Sequence, residues 1–128
     1  MSKSIFISCV HEDSHRIKNI QNWALQKRLG NVVITSETED NRYAGVNAIK
    51  RHIQSKIQGA SVVLVLIGQD THNHDWIKAE VELANSFHKK IFCVRVPNSN
   101  GAVPVILGNY KLINFDPDTI KRELDSIK

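Results

Sequence analysis

At 128 residues the chain has room for one domain and not two, and 41% hydrophobic with 23% charged residues is the balance of a globular protein that builds its own core. Seventeen basic and 13 acidic residues leave a net charge of +4, but the cations are dispersed, as at Lys50-Arg51 and Lys89-Lys90, with no interleaved aromatics, so a nucleic-acid groove is not expected. No apolar run approaches the roughly 20 residues of a membrane span, and the opening Ile5-Phe6-Ile7 is too short for a signal-peptide core, so no membrane partner and a cytoplasmic location are expected.

Short apolar runs alternate with longer amphipathic stretches, the pattern of β-α-β units around a parallel sheet. The first strand is expected over Ser4 to Ser8. His11-Glu12-Asp13-Ser14 then breaks the pattern, and Asp13 or Ser14 is placed to cap a helix running to about Leu29, with Gly30 as its stop. Asn31 to Thr35 reads as the second strand. The polar stretch Ser36 to Gly45 that follows lacks any apolar period, and long loops of this kind in compact domains are often functional.

Val46, Ile49, Ile53 and Ile57 share one face of a second helix, ended by Gly59. Ser61 to Gly68 is an unbroken β-rich apolar run, which means a central strand covered on both sides. Gln69 to Asp75 is a polar loop, and a third helix is expected from about Asp75 to His88. Ile91 to Val96 is a fourth strand stopped by Pro97. The segment Asn98 to Gly108 is irregular, Tyr110 to Phe115 reads as an edge strand, and Asp116-Pro117 starts a last helix. Cys9 and Cys93 both sit in strand-like contexts and are expected as buried thiols rather than a disulfide.

The expected architecture is therefore α/β, a flavodoxin-like three-layer sandwich over residues 1–128 with a five-stranded parallel sheet in the order 2-1-3-4-5. In that order ligands bind beyond the carboxyl ends of the first and third strands, which points to Ser8-Cys9-Val10-His11 and Gly68-Gln69-Asp70-Thr71.

Glu80 stands out on the third helix. With Trp76 at zero and about 100° per residue, Phe87 falls near 20°, Leu83 near 340°, Ala84 near 80°, Ile77 near 100° and Glu80 near 40°, inside the apolar stripe. Glu82 falls near 240°, beside Lys78 on the polar side. A carboxylate facing the protein body needs a hydrogen-bond partner or a shifted pKa, and such a group is either functional or a structural cap or ion pair. Trp76 lies one turn before Glu80 on the same face, as a pocket wall or as a core aromatic.

GxxxxGK[ST], GxGxxG and GxSxG are all missing, which excludes the common nucleotide hydrolase, dehydrogenase and serine hydrolase patterns. His72-Asn73-His74, with His11 and His15, has no cysteine partner and does not make a convincing metal set. A phosphoreceiver domain would share the topology, with Glu12-Asp13 and Asp70 as its acidic residues, but Lys111 stands at the wrong end of the fifth strand for it.

Ile5-Phe6-Ile7-Ser8 with its following His-Glu-Asp segment resembles the opening box of TIR domains, with Cys9 replacing a tyrosine. Ser61 to Gly68 and Trp76-x-x-x-Glu80 are similar to their third strand and the WxxxE pattern of the next helix. The chain is similar throughout to the compact prokaryotic TIR-like proteins, among them the sensors of Thoeris antiphage systems. Tyr43-Ala44-Gly45 departs from the small residue and proline of receptor-type members, and argues against close kinship with adaptor-type TIR domains.

The resemblance implies an NAD+ nucleosidase or ADP-ribosyl-transferring cyclase, with NAD+ as substrate and no further cofactor. It would make an ADP-ribose-derived signal that switches on a separate effector. It implies Glu80 as the catalytic residue, with Phe6, Ser8, Cys9, Asp40, Arg42, Thr71 and Trp76 around the substrate; Asp40 and Arg42 enter through the location of the long loop. A homo-oligomer is also implied. The alternative is a non-catalytic TIR-like module acting by self-association, since fold does not dictate activity. A phosphoreceiver is the third possibility.

Overall fold

The computed structural model describes residues 3–10, 13–36, 53–69, 71 and 75–127, with the side chains of Asp75 and Trp76 outside the description. Strands β1 (Lys3–Ser8), β2 (Val32–Ser36), β3 (Val62–Ile67), β4 (Lys90–Arg95) and β5 (Leu112–Asn114) form one five-stranded parallel sheet. Their order is β2-β1-β3-β4-β5, so the chain reverses direction between β1 and β3 as expected.

All six residues of β3 are buried. Successive residues of a strand face opposite sides, so two cores form. Phe6, Val63, Val65 and Ile67 pack with Ile53 and Ile57 of helix α2 (53–58 in the described residues) and with Ile77, Val81 and Ala84 of α3 (Asp75–Ser86). Ile5, Ile7, Val62, Leu64 and Leu66 pack with Ile20 of α1 (His15–Leu25) and with Ile120 and Leu124 of α4 (Pro117–Ser126). Each fully buried side chain of this kind is worth about 1.5–3 kcal/mol, which is why the central strand needs no polar face. Among the described residues no helix is long and apolar enough to cross a membrane.

Three boundaries differ from the sequence expectation. Helix α1 stops at Leu25, four residues before the expected Leu29. Its terminus is set by Lys27 at φ 62, with the Arg28 N–H donating to the Trp23 carbonyl at 2.9 Å and the Lys27 N–H donating to that of Ala24 at 3.1 Å. That is a Schellman ending, with lysine where glycine is usual. Helix α3 ends the same way around His88 at φ 57, through Lys89 N–H to Ala84 and His88 N–H to Asn85. The edge strand β5 keeps only three residues: at its start the Tyr110 N–H turns back to donate to the Leu107 carbonyl at 3.1 Å instead of joining the sheet.

The last helix follows its start signal closely. Asp116 accepts from the Thr119 N–H at 2.9 Å and Pro117 opens the first turn.

Candidate functional site

Among the described residues the interior holds four buried polar or charged side chains: Ser8, Asp13, Thr71 and Glu80. Ser8, Asp13 and Thr71 belong to the carboxyl ends of β1 and β3 or the loops leaving them, where the strand order reverses, and Glu80 reaches Ser8 from the middle of α3. Among the described residues the core is apolar elsewhere, so their buried polar groups are concentrated where a ligand site belongs.

Ser8 ends β1 on the same side as Phe6, facing α3. Its hydroxyl donates to Glu80 Oε1 at 2.5 Å, and both residues are wholly enclosed. The bond is at the short end of the range for a hydroxyl donor. On α3 the enclosed arc includes Ile77, Glu80, Val81 and Ala84, while Lys78 and Glu82 face solvent. With Ala79, at about 300°, also buried, the enclosed arc runs from Ala79 round to Val81 at about 140°, and Glu80 at about 40° lies at its centre, as the helical wheel places it.

Thr71 closes the turn after β3. Its Oγ1 accepts from the Gly68 N–H at 2.8 Å, and its hydroxyl lies 3.4 Å from the Leu66 carbonyl. That oxygen is therefore engaged with loop backbone. Asp13 lies against Gly68 from the β1 side: a methyl built on Gly68 would be 2.7 Å from Asp13 Cγ and closer still to a carboxylate oxygen.

The structure brings Ser8 and Glu80 into contact, with Phe6 buried on the same layer as Ile77 and Val81. It does not bring Cys9 to them: Cys9 is buried in the opposite core, with Ile5, Ile7 and Ile20. Residue parity on the strand explains this, since Ser8 and Cys9 are consecutive and turn to opposite sides. The backbone of Trp76 lies in the first turn of α3. Asp40, Arg42, His11, His72, His74 and Asp70 lie outside the described residues. Among the described residues there is no group of three or more His, Cys, Asp or Glu side chains placed to hold a metal. Asp13, read from sequence as a helix cap or as part of a phosphoreceiver's acidic pair, was not among the residues expected around the substrate, and the structure buries it beside Gly68 at this end of the sheet. Ser14 takes the cap position, without a side-chain cap bond.

The segment carrying these residues decides the family. Residues 6–101 match the family model described as Thoeris protein ThsB, TIR-like domain. The chain belongs to the TIR-like family of Thoeris protein ThsB. The matched stretch contains Ser8, Asp13, Gly68, Thr71 and Glu80, so the buried polar cluster lies wholly within the TIR-like domain. Among solved structures, the crystal structure of the TIR domain of the Toll-related receptor TRR-2 from Hydra magnipapillata is similar at 15% identity, covering 96% of each chain with a TM-score of 0.66. A 3-dehydroquinate dehydratase-like protein from Bifidobacterium longum is similar at 16% identity and a TM-score of 0.56, over 99% of this chain and 95% of that one. Identities this low speak for the shared fold alone. No curated protein sequence matches the chain.

Proposed function

We propose that this TIR-like domain is an NAD+-cleaving enzyme that breaks the nicotinamide–ribose bond and passes the ADP-ribose moiety on as a linear, cyclic or conjugated signal. The observation that carries this reading is the enclosed Glu80 carboxylate, held by Ser8 at the switch-point crevice.

The chemistry suits one fixed carboxylate. Nicotinamide leaves as a neutral molecule, taking both electrons of the C1′–N bond, and so needs no general acid. The ribose left behind has oxocarbenium character, and a preorganised negative oxygen beside it stabilises that charge or holds the ribose hydroxyls. The bond from Ser8 removes the freedom of the Glu80 side chain before substrate arrives, which is the preorganisation such catalysis requires. NAD+ is the substrate, and Trp76, Asp40 and Arg42 remain the proposed contacts around it. Phe6 supports the site from the core, and Thr71 holds the loop. The signal would act on a separate effector in antiphage defence in the cytoplasm.

Glu80 and Ser8 are enclosed, so substrate reaches them only when neighbouring segments move. That fits an enzyme switched on by a trigger or by homo-oligomer assembly. The test is nicotinamide release from NAD+ by the purified protein at high concentration, beside Glu80→Gln. Release by the wild type and its loss in the variant are expected; equal release by both would remove Glu80 from the mechanism.

A second reading, assembly without catalysis, is favoured by a different observation. Leu25 at the end of α1 is 80% exposed and Val105 in the 3-10 turn 98%, aliphatic surface that contacts between copies would cover. Concentration-dependent oligomers that Leu25→Asp or Val105→Asp abolishes, with no nicotinamide release at any concentration, would favour this module.

A further inference from the structure

The charged side chains enclosed at the switch point, Asp13 and Glu80, are both carboxylates. A dinucleotide carries negative charge on its diphosphate, which a site of that sign alone repels. A cation is needed at the carboxyl end of the sheet. Among the described residues Arg95 is the one cation that ends a strand: β1, β2, β3 and β5 end in Ser8, Ser36, Ile67 and Asn114.

Strand register places it relative to Glu80. Ser8 pairs with Val65, and Arg95 pairs with Ile67. Arg95 therefore stands two strands across from Ser8 and two residues further along, roughly 12 Å between their Cα atoms. Cys93, two residues before it, faces the core under α3 with Val65 and Ile67, so Arg95 turns to that side as well. Ser8 and Glu80 meet on the same side.

The guanidinium is anchored over the chain leaving β3. Its Nη1 donates to the Gly101 carbonyl at 2.8 Å. Gly101 is itself seated on that chain: a methyl there would lie 2.5 Å from the Gly68 carbonyl oxygen and closer still to that of Gln69. Val96 N–H to the Ile67 carbonyl at 2.9 Å and Asn100 N–H to Gln69 Oε1 at 3.0 Å tie the two loops together.

This anchor leaves the recognition edge open. Among the described residues Arg95 forms no ion pair, and its Nε and Nη2 are neither bonded nor enclosed. Those two nitrogens form the side-on edge of a guanidinium, whose parallel N–H donors fit two oxygens of one phosphate. Arg16 differs: its Nε is enclosed, and its guanidinium lies over the Phe115 ring, 5.7 Å from the centroid.

We propose that Arg95 is the diphosphate contact of the site, binding phosphate oxygens through Nε and Nη2 while Gly101 holds Nη1. That the diphosphate belongs to NAD+ rests on the reading above. The near phosphate of NAD+ is joined to the C5′ oxygen, across the ribose from the bond to nicotinamide. Arg95 and Glu80 thus bracket the nicotinamide ribose, and their separation is one that an arginine side chain and a ribose together span.

The experiment measures ADP-ribose binding to the full chain by isothermal titration calorimetry at two salt concentrations, in wild type, Arg95→Gln and Arg95→Lys. Melting temperature and steady-state nicotinamide release are recorded beside it. Arg95→Gln, which keeps an amide donor but no charge, should weaken ADP-ribose about 10–100-fold. Arg95→Lys should fall between, since it keeps the charge and loses the fork. Added salt should weaken the wild type more than Arg95→Gln. In turnover, Arg95→Gln should raise KM with kcat nearly unchanged, the pattern of lost uniform binding.

Wild-type affinity and salt dependence in Arg95→Gln would overturn the proposal; a lowered melting temperature alongside them would make Arg95 a brace for Gly101 alone. A wild-type protein that takes up no ADP-ribose overturns it as well. Should Arg95→Gln fail to fold, Arg95→Lys decides, by losing ADP-ribose affinity or by keeping it. If Arg95→Gln loses ADP-ribose while no form of the protein releases nicotinamide, the diphosphate contact stands and the cleavage reading falls. If nicotinamide is released and ADP-ribose binding ignores Arg95, the cleavage reading stands and the contact falls.

Discussion

Ser8 and Glu80, 72 residues apart in the chain, meet through a 2.5 Å hydrogen bond inside the protein, with neither side chain reaching solvent. A hydrogen bond to a charged group contributes roughly 1.5–3 kcal/mol. At 1.36 kcal/mol per decade of rate, its loss in a reacting group is worth about 10–100-fold. Ser8→Ala should therefore lower nicotinamide release by that amount while the circular dichroism spectrum stays native. Unchanged turnover in Ser8→Ala would show that Glu80 is oriented by other contacts.

The same pair separates function from structure. A buried polar pair replaced on both sides by apolar groups of similar shape is often neutral or stabilising. The Ser8→Ala/Glu80→Leu double variant should match or exceed the wild type in melting temperature and release no nicotinamide. A loss of more than about 3 kcal/mol, as follows removal of a structural anchor, would assign the carboxylate to stability instead.

Two groups predict the pH dependence of stability. Burial pushes the Cys93 thiol up from 9.0 to about 11. The unfolded chain then ionises first as pH rises, so this contribution is intact below about pH 9 and is lost between pH 9 and 11. Two pH units correspond to about 2–3 kcal/mol, and Cys93→Ala should flatten that part of a denaturation curve. At the acid end, the Thr119 N–H and hydroxyl hold the Asp116 carboxyl below its ordinary range. Its stabilisation is present above that range and disappears as pH falls through the lowered value; Asp116→Asn should remove this acid sensitivity.

Lys27 at φ 62 and His88 at φ 57 end their helices in the left-handed region, where a side chain costs roughly 1–2 kcal/mol. Glycine avoids that strain but has more freedom to lose on folding. Lys27→Gly and His88→Gly should each raise stability by about 0.5–1 kcal/mol in urea denaturation, with no change in m-value. A lower midpoint would show that the side chains make contacts worth more than the strain.

Much of this protein was legible from local pattern. The unbroken apolar run of β3, the alternation of strands with amphipathic helices and the Asp116-Pro117 start each report a periodicity or a cap within a few residues. They determined the sheet, its order and the inward side of Glu80, because helical and strand periods are properties of neighbouring residues. Helix ends were less legible: the Schellman turns at Lys27 and His88 use residues that carry no stop signal. What only the tertiary structure decided is which partners meet. Ser8 finds Glu80, and Cys9 is sent to the other core, through pairing of β1 with β3 and the packing of α3 upon them. Asp13 read as a helix cap or part of an acidic pair and Gly68 as a strand end; they meet because parallel pairing of β1 and β3 delivers both loops to one end of the sheet.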